Sequence, residues 1–303
     1  MLDFSKFGGK RIKCAGLGEV LFDVYPDEAK IGGAPANFAF HCRQLGLDSV
    51  IISSVGNDEL GFKARNILAT KFLPALLLPN SKNTGAVNVL LNAKGVPTYL
   101  FLEDTAFDNI PFDELLQDVA QKLQMCCFGT LAQRSKMTHE TVMKFLDTMD
   151  EDKRIRVFDV NLRRNYFSKE VIEESLKRTE IFKCNEDELP VLCEIAGIKN
   201  ASAAAYRDYL ADRGIYGFIF TEGAKQSTVF INDETSIKKT PVIKAVDTVG
   251  AGDSFTASLV SLLMQGKNLN FAHEKAVEIS AYVCTQQGAM PELTDQLKES
   301  LGI

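Results

Sequence analysis

The sequence contains no block of basic residues, no apolar run long enough to cross a bilayer and no Cys-x-x-Cys, and each absence removes a class of function. Its 34 lysines and arginines are scattered, with no run of five, against 40 acidic residues and a formal net charge of -6, so nothing marks a nucleic-acid partner. The most apolar windows, "FLPALLL" and "SLVSLLM", are too short to span a membrane. The N-terminal stretch lacks the apolar core and small-residue cleavage site of an export signal. The expectation is a cytoplasmic protein with no membrane partner. The seven cysteines are odd in number and mostly sit in apolar stretches such as "LQMCCFG", which reads as reduced core thiols. No internal repeat or Pro/Gly/Ser-rich linker divides the chain, so residues 1–303 are read as one domain. The three histidines lack metal-ligand spacing; His41 is assigned to the first helix, and His139 and His273 to solvated faces.

What is present is alternation. Short apolar, β-branched runs ("IKCAGLG", "SVIISSVG", "MCCFGT", "IRVFDVN", "EIFKCN", "YGFIFTEG") alternate with amphipathic helical stretches nearly from end to end. Continuous apolar strands separated by helices predict a doubly wound α/β fold, a mostly parallel sheet covered on both faces. Two segments, about 19–31 and 84–107, break the alternation with strand-like residues, Pro-Asp and Lys-Gly turn signals and no intervening helix. They are candidate strands of a small separate sheet.

Two glycine-rich loops feed helices. In "KIGGAPANFAFHCRQLGL", Gly32 and Gly33 make a turn, Pro35 suits a first helical turn, and Phe38, Cys42 and Leu45 share a face. In "AVDTVGAGDSFTASLV", Gly250, Ala251 and Gly252 lie between two aspartates, and Phe255, Leu259 and Leu262 form the stripe behind Asp253. Small residues at a helix N-terminus let a ligand reach backbone N–H groups where the helix dipole acts as roughly half a positive charge, which suits a phosphate. A glycine pair is also an ordinary tight turn, and an aspartate at a helix start an ordinary N-cap. Neither loop is a Walker A motif, and in "GLGEVL" Leu21 occupies the third glycine position of a dinucleotide fingerprint.

Together "GGAPANFAFHCRQLG", "VGNDELG" and, far downstream, "DTVGAGDSFTASLV" resemble the two signature regions of the ribokinase-like (PfkB-type) carbohydrate kinases, and "GEVLFDVYP" and "FDVNLR" are most similar to fructokinases. The resemblance implies a ribokinase-like fold whose small β-sheet, here 19–31 and 84–107, is a lid over the sugar. It places Asp23, Gly32, Gly33 and Asn37 at the sugar, and Asp253 as the base that takes a hydroxyl proton. The amides of Gly250, Ala251 and Gly252 would stabilise the transferring phosphoryl group. "KCNEDEL" matches the family's N-x-x-E motif, with Asn185 at the nucleotide and Glu188 organising Mg²⁺ through water; "TEG" puts Thr221 and Gly223 at the nucleotide too. "DVNLRR" ends a strand, where open α/β sheets collect ligands, so Asp159, Asn161 and Arg163 are expected to face the cleft.

"QQGAMPE" resembles a loop that helps bind a monovalent cation, K⁺, in some members, whereas "KFLPALLLPN" (71–80) lacks the family's usual approach to the second lid segment. The expected reaction is ATP- and Mg²⁺-dependent phosphorylation of fructose at its 6-hydroxyl. Ribose or 2-keto-3-deoxygluconate as substrate, a silent sugar- or nucleotide-binding sensor and a dinucleotide oxidoreductase remain alternatives. The outer face of the lid is expected to carry Val87, Val89, Leu91, Tyr99 or Phe101 in some alternation, and the protein to form a homodimer through that face. Beside a helix N-terminus, Asp253 is expected to stay ionised until the solution is clearly acidic.

Overall fold

The computed structural model describes residues 1–91 and 97–302; the Lys94-Gly95 turn signal lies outside the described residues, as do the side chains of Leu91 and Tyr99. In chain order the strands are β1 (Lys13–Leu17), β2 (Leu21–Val24), β3 (Ala29–Gly32), β4 (Asp48–Gly56), β5 (Ala75–Asn80), β6 (Gly85–Leu91), β7 (Pro97–Phe101), β8 (Met125–Phe128), β9 (Ile155–Asp159), β10 (Ile181–Asn185), β11 (Gly217–Thr221), β12 (Gln226–Ile231) and β13 (Glu234–Lys239). Nine of them form one sheet in the order β13-β12-β11-β10-β9-β8-β1-β4-β5. Pairing is parallel from β5 through to β11, and the β11–β12 and β12–β13 pairs are antiparallel, so that β12 alone runs against the rest. This is the expected doubly wound sheet. Segment 71–80, which departs from the family pattern, supplies the edge strand β5.

Strand alternation sends side chains to two cores. Cys14, Met125, Cys127, Ile155, Val157 and Ile181 face the helices Ala34–Gln44, Ala251–Met264 and Leu269–Cys284, whereas Ala15, Leu17, Cys126, Phe128, Phe158 and Phe182 face the opposite helical layer. Phe38, Cys42 and Leu45 of the first helix and Phe255, Leu259 and Leu262 of the later one are all buried in the first of these cores, as their spacing predicts. Six cysteines are buried and Cys284 half-buried, all as free thiols. His273 departs from expectation: it is buried against Phe255 and its ring nitrogens meet the Ser227 and Ser236 hydroxyls. His139 is half-buried and bonded to Gln133 and Glu174.

The second sheet has the order β3-β2-β6-β7, with β2 and β6 parallel and the other pairs antiparallel. Val87 and Val89 do not lie on an outer face: each is 2% exposed. Val87 packs with Leu21, Phe107, Leu131 and Ala132, and Phe101 is half-buried against the same group. The run from residue 102 to 110 folds back over the sheet and covers that face, a tertiary contact that alternation within a strand does not reveal.

The sheet order reverses at β1, which lies between β4 and β8. Ligands of open α/β sheets gather outside the strand ends at such a point. The connection from β1 to β2 and the glycine-fed helix starts all meet there.

Candidate active site

Most helices of the molecule begin on a side-chain cap. Asp58, Asp113, Ser135, Ser168, Ser202, Asn268 and Thr294 each accept a backbone N–H of the helix that follows. The two glycine-fed helices start on Gly33 and Gly250, with no side-chain cap bond. In place of such a cap, the Glu19 carboxylate accepts the Ala34 N–H in the first of them, and the Ala251 N–H meets the Thr248 carbonyl at 3.3 Å in the second.

Backbone geometry requires glycine at both starts. Gly33 has φ 121°, and a Cβ there would sit 2.2 Å from the Glu19 carbonyl oxygen; Gly250 has φ 79°, and a Cβ would lie 2.6 Å from the Ala289 Cβ. The absent side chains are therefore demanded by the protein's own packing as well as by any approaching phosphate. His41, buried beneath this wall, bonds the Ala289 carbonyl at 2.9 Å, and burial pushes its pKa down to about 4.

The two helix starts converge on one pair. The Asn37 side-chain amide donates to the Asp253 carboxylate at 2.7 Å across 216 positions of sequence. Asp253 is thus held from the side by Asn37, and no backbone amide of its own helix is capped by it. Burial pushes its pKa up to about 6, Asp159 adds to the rise, and Asn37, Lys183 and Arg163 oppose it. The helix terminus does not keep this carboxyl in the ordinary range, contrary to expectation. It is still mostly ionised at neutral pH. A small pocket lined by Ala34, Pro35, Gly129, Asp159 and Asp253 opens beside it.

Near this pair lie the residues expected at the sugar. Gly32 ends β3 opposite Leu21, and Asp23 of β2 lies with its Oδ2 3.6 Å from where a Cβ on Gly32 would project. Burial raises the Asp23 pKa, and Arg163 opposes the rise. Asn161 follows β9 with φ 45°, and Arg163, exposed, projects its charge toward Asp23, Glu19 and Asp253.

The nucleotide-side candidates form a second group at neighbouring strand ends. Asn185 and Thr221 are register partners in β10 and β11. The Asn185 Oδ1 accepts the N–H groups of Asp187 and Glu188, and the Glu188 carboxylate accepts those of Asn185 and Leu162. Glu188 is 5% exposed, and burial raises its pKa. Gly223, with φ 52°, brings its turn against Glu186. The Ala251 carbonyl accepts from Ser254 and Ser280, which anchors the first turn of the later helix.

Two residues of the site escaped the sequence reading. Glu19, in the β1–β2 connection, is 2% exposed with one unpartnered oxygen, and burial pushes its pKa up to about 7. Lys183 of β10 is buried in an ion pair with Asp159 at 2.9 Å. The available signal was a charge set among apolar residues, in "GLGEVL" and "IFKC" respectively.

A doubly wound sheet with a small β-sheet beside its switch point and a carboxylate at a bare, glycine-fed helix start defines the ribokinase-like sugar kinases. The chain belongs to the pfkB family carbohydrate kinases, whose family model matches residues 18–296. It is 28% identical to the fructokinase of Klebsiella pneumoniae over 94% of this chain and 98% of that protein. It is 26% identical to the ATP-dependent 6-phosphofructokinase of Thermoanaerobacterium thermosaccharolyticum, over 95% and 93%. The crystal structure of an uncharacterized sugar kinase from Pyrococcus horikoshii in complex with ATP superimposes with a TM-score of 0.75 at 26% identity, covering 95% of this chain and 99% of that one.

Proposed function

We propose that this sugar kinase transfers the γ-phosphoryl group of ATP to the 6-hydroxyl of fructose, with Asp253 as general base. The observation that carries the reading is the buried Asp253 carboxylate, fixed by Asn37 at 2.7 Å beside the uncapped first turn that starts on Gly250. A sugar hydroxyl is a weak nucleophile. As its oxygen attacks the γ-phosphorus, its proton passes to Asp253, the O–P bond forms, the bond to the bridging β,γ-oxygen breaks, and ADP leaves. Amides of Gly250, Ala251 and Gly252 stabilise the charge on the transferring group. Asp23, Gly32, Gly33, Asn37, Asn161 and Arg163 hold the sugar, and the sheet made of β2, β3, β6 and β7 acts as its lid. Asn185, Thr221 and Gly223 hold the nucleotide.

The Glu188 carboxylate, buried, oxygen-only and bonded by two backbone amides rather than by a basic side chain, suits a hydrated Mg²⁺, which would neutralise phosphate charge when bound. The loop 286–292, anchored by a bond from the Gly288 N–H to Asp247 at 3.1 Å, is the proposed K⁺ neighbourhood. A homodimer through the small sheet, where Leu100 of β7 and Leu102 just beyond it are exposed among the described residues, and a cytoplasmic location complete the reading. Among the described residues no helix is long and apolar enough to cross a membrane.

Fructose is supported by relatives named fructokinases that match more than nine-tenths of this chain. The test is a coupled ADP-release assay over ketoses, aldoses, nucleosides, sugar phosphates and sugar acids. Fructose should give the highest kcat/KM; a clear preference for ribose, fructose 6-phosphate or a keto-deoxy acid overturns the substrate and leaves the kinase. Sedimentation at micromolar concentration tests the dimer.

A further inference from the structure

Beneath the helix Ala251–Met264 the main sheet presents an apolar face. Ile155 and Val157 of β9 and Ile181 of β10 share one core with Phe255 and Leu259. The last layer breaks this pattern. There Asp159 and Lys183, register partners in the parallel ladder, form an ion pair at 2.9 Å with side chains 6% and 8% exposed. The Thr256 hydroxyl donates to the other Asp159 oxygen at 3.3 Å. The ammonium lies so close under the first helical turn that a Cβ on Gly252 would be 3.1 Å from Lys183 Nζ.

Stability does not account for a lysine at this place. A buried ion pair seldom outweighs well-packed apolar side chains of similar volume. A cation at a helix N-terminus also opposes the dipole. Burial by itself would push the Lys183 pKa down, but Asp159, Glu188 and Asp253 overrule it and keep the ammonium charged. A permanent positive charge is therefore stationed under the turn where negative charge must develop.

We propose that Lys183 is a positioning residue for phosphoryl transfer, whose fixed charge beneath Gly252 holds Asp253 in its basic form and reinforces the amides of the same turn. The inference rests on the reading of Asp253 as base. Asp253 is faced by Asp159 from β9, Lys183 from β10, Cys127 from β8, Asn37 from the first glycine-fed helix, Glu19 from the β1–β2 connection and Arg163 from the loop after β9. Of the two cations, Arg163 is exposed and Lys183 is buried. Water screens the first far more than the second. Removing Lys183 leaves Asp159 to act on Asp253 with no buried counter-charge.

The test compares Lys183→Met, Asp159→Asn, the double variant and Asp253→Asn, with fructose (or the best sugar of the panel) and MgATP, after thermal melts establish which are folded. Lys183→Met should lower kcat about tenfold or more while KM for sugar and ATP stays within a few-fold, and should move the acid limb of kcat/KM up by about one pH unit. Asp159→Asn should move that limb down, and so should the double variant relative to Lys183→Met. An acid limb that stays at the wild-type position in Lys183→Met overturns the inference. Should Lys183→Met not fold, the double variant is read against Asp159→Asn instead, and a limb no higher in the double variant than in Asp159→Asn overturns it. If Asp253→Asn remains active, it is the base reading that fails; if that variant is dead and the limbs do not move, only the role of Lys183 fails.

Discussion

The helix starts of this molecule are of two kinds. The helix Ala203–Ala211, on the far layer, begins on Ser202, whose hydroxyl accepts the Ala205 N–H. The helix Ala251–Met264 begins on Gly250 with no side-chain cap bond. The first arrangement stabilises a helix locally; the second gives up that stabilisation and adds a buried carboxylate and a buried ion pair. Both lead into buried apolar stripes. What differs is that a side chain finishes one terminus and none finishes the other, and the proposed active site is built on the second.

The largest effect should come from the carboxylate that marks the bare start. Asp253→Asn keeps the size of the side chain and can still accept from Asn37, but cannot take a proton, so kcat should fall by about 10²–10⁴ with KM little changed. Retention of more than a tenth of wild-type kcat would return Asp253 to a structural role. The same variant should melt higher at neutral pH. A carboxyl whose folded pKa is raised contributes stability below its unfolded pKa and loses it as pH rises through the folded value, here from about 4 to about 6, a difference on the order of 3 kcal/mol that the amide does not suffer.

Next in size is Gly250→Ala, which forces an L-residue to φ 79° and puts its Cβ 2.6 Å from that of Ala289. Stability should fall by about 1–3 kcal/mol and kcat by about 10²-fold, as for the loss of one aimed amide. Urea melts and steady-state kinetics read both; a variant with normal kcat would mean that the turn tolerates displacement. Wild-type kcat/KM should then decline below about pH 6 as Asp253 takes up a proton, roughly tenfold per unit. A profile flat to pH 5 would contradict the buried environment described for this carboxyl. The smallest effect belongs to the capped start: Ser202→Ala should cost about 1 kcal/mol in a denaturant melt and leave kcat and its pH profile untouched. Any change in catalysis there would blur the distinction between the two kinds of terminus.

Much of this was legible in the residues. Runs such as "SVIISSVG" and "IRVFDVN" are apolar on both sides because parallel strands are covered on both faces, and the glycine loops stand out because few positions need φ > 0 beside an apolar stripe. Other features depend on contacts distant in sequence. Val87 and Val89 alternate as residues of an exposed face would, yet Phe107 and Leu131 cover Val87 from another part of the chain. His273 stands in a helix with polar neighbours, and only the approach of Ser227 and Ser236 from β12 and β13 shows it buried. Lys183 is hidden for the opposite reason. Within "EIFKCN" it interrupts a strand, and its purpose depends on Gly252, 69 positions later, coming to rest above it.

The wall behind Gly250 has a further consequence for how the enzyme comes into being. Asn37 reaches Asp253 and His41 reaches Ala289, so one early helix braces both the reacting carboxylate and the loop packed against its turn, across separations of 216 and 248 positions. Contacts of such span close late in folding. Until residue 289 is in place, the turn at Gly250 lacks the wall it packs against. On the proposed reading, a chain that has not yet closed these two contacts holds the groups of the site without their alignment.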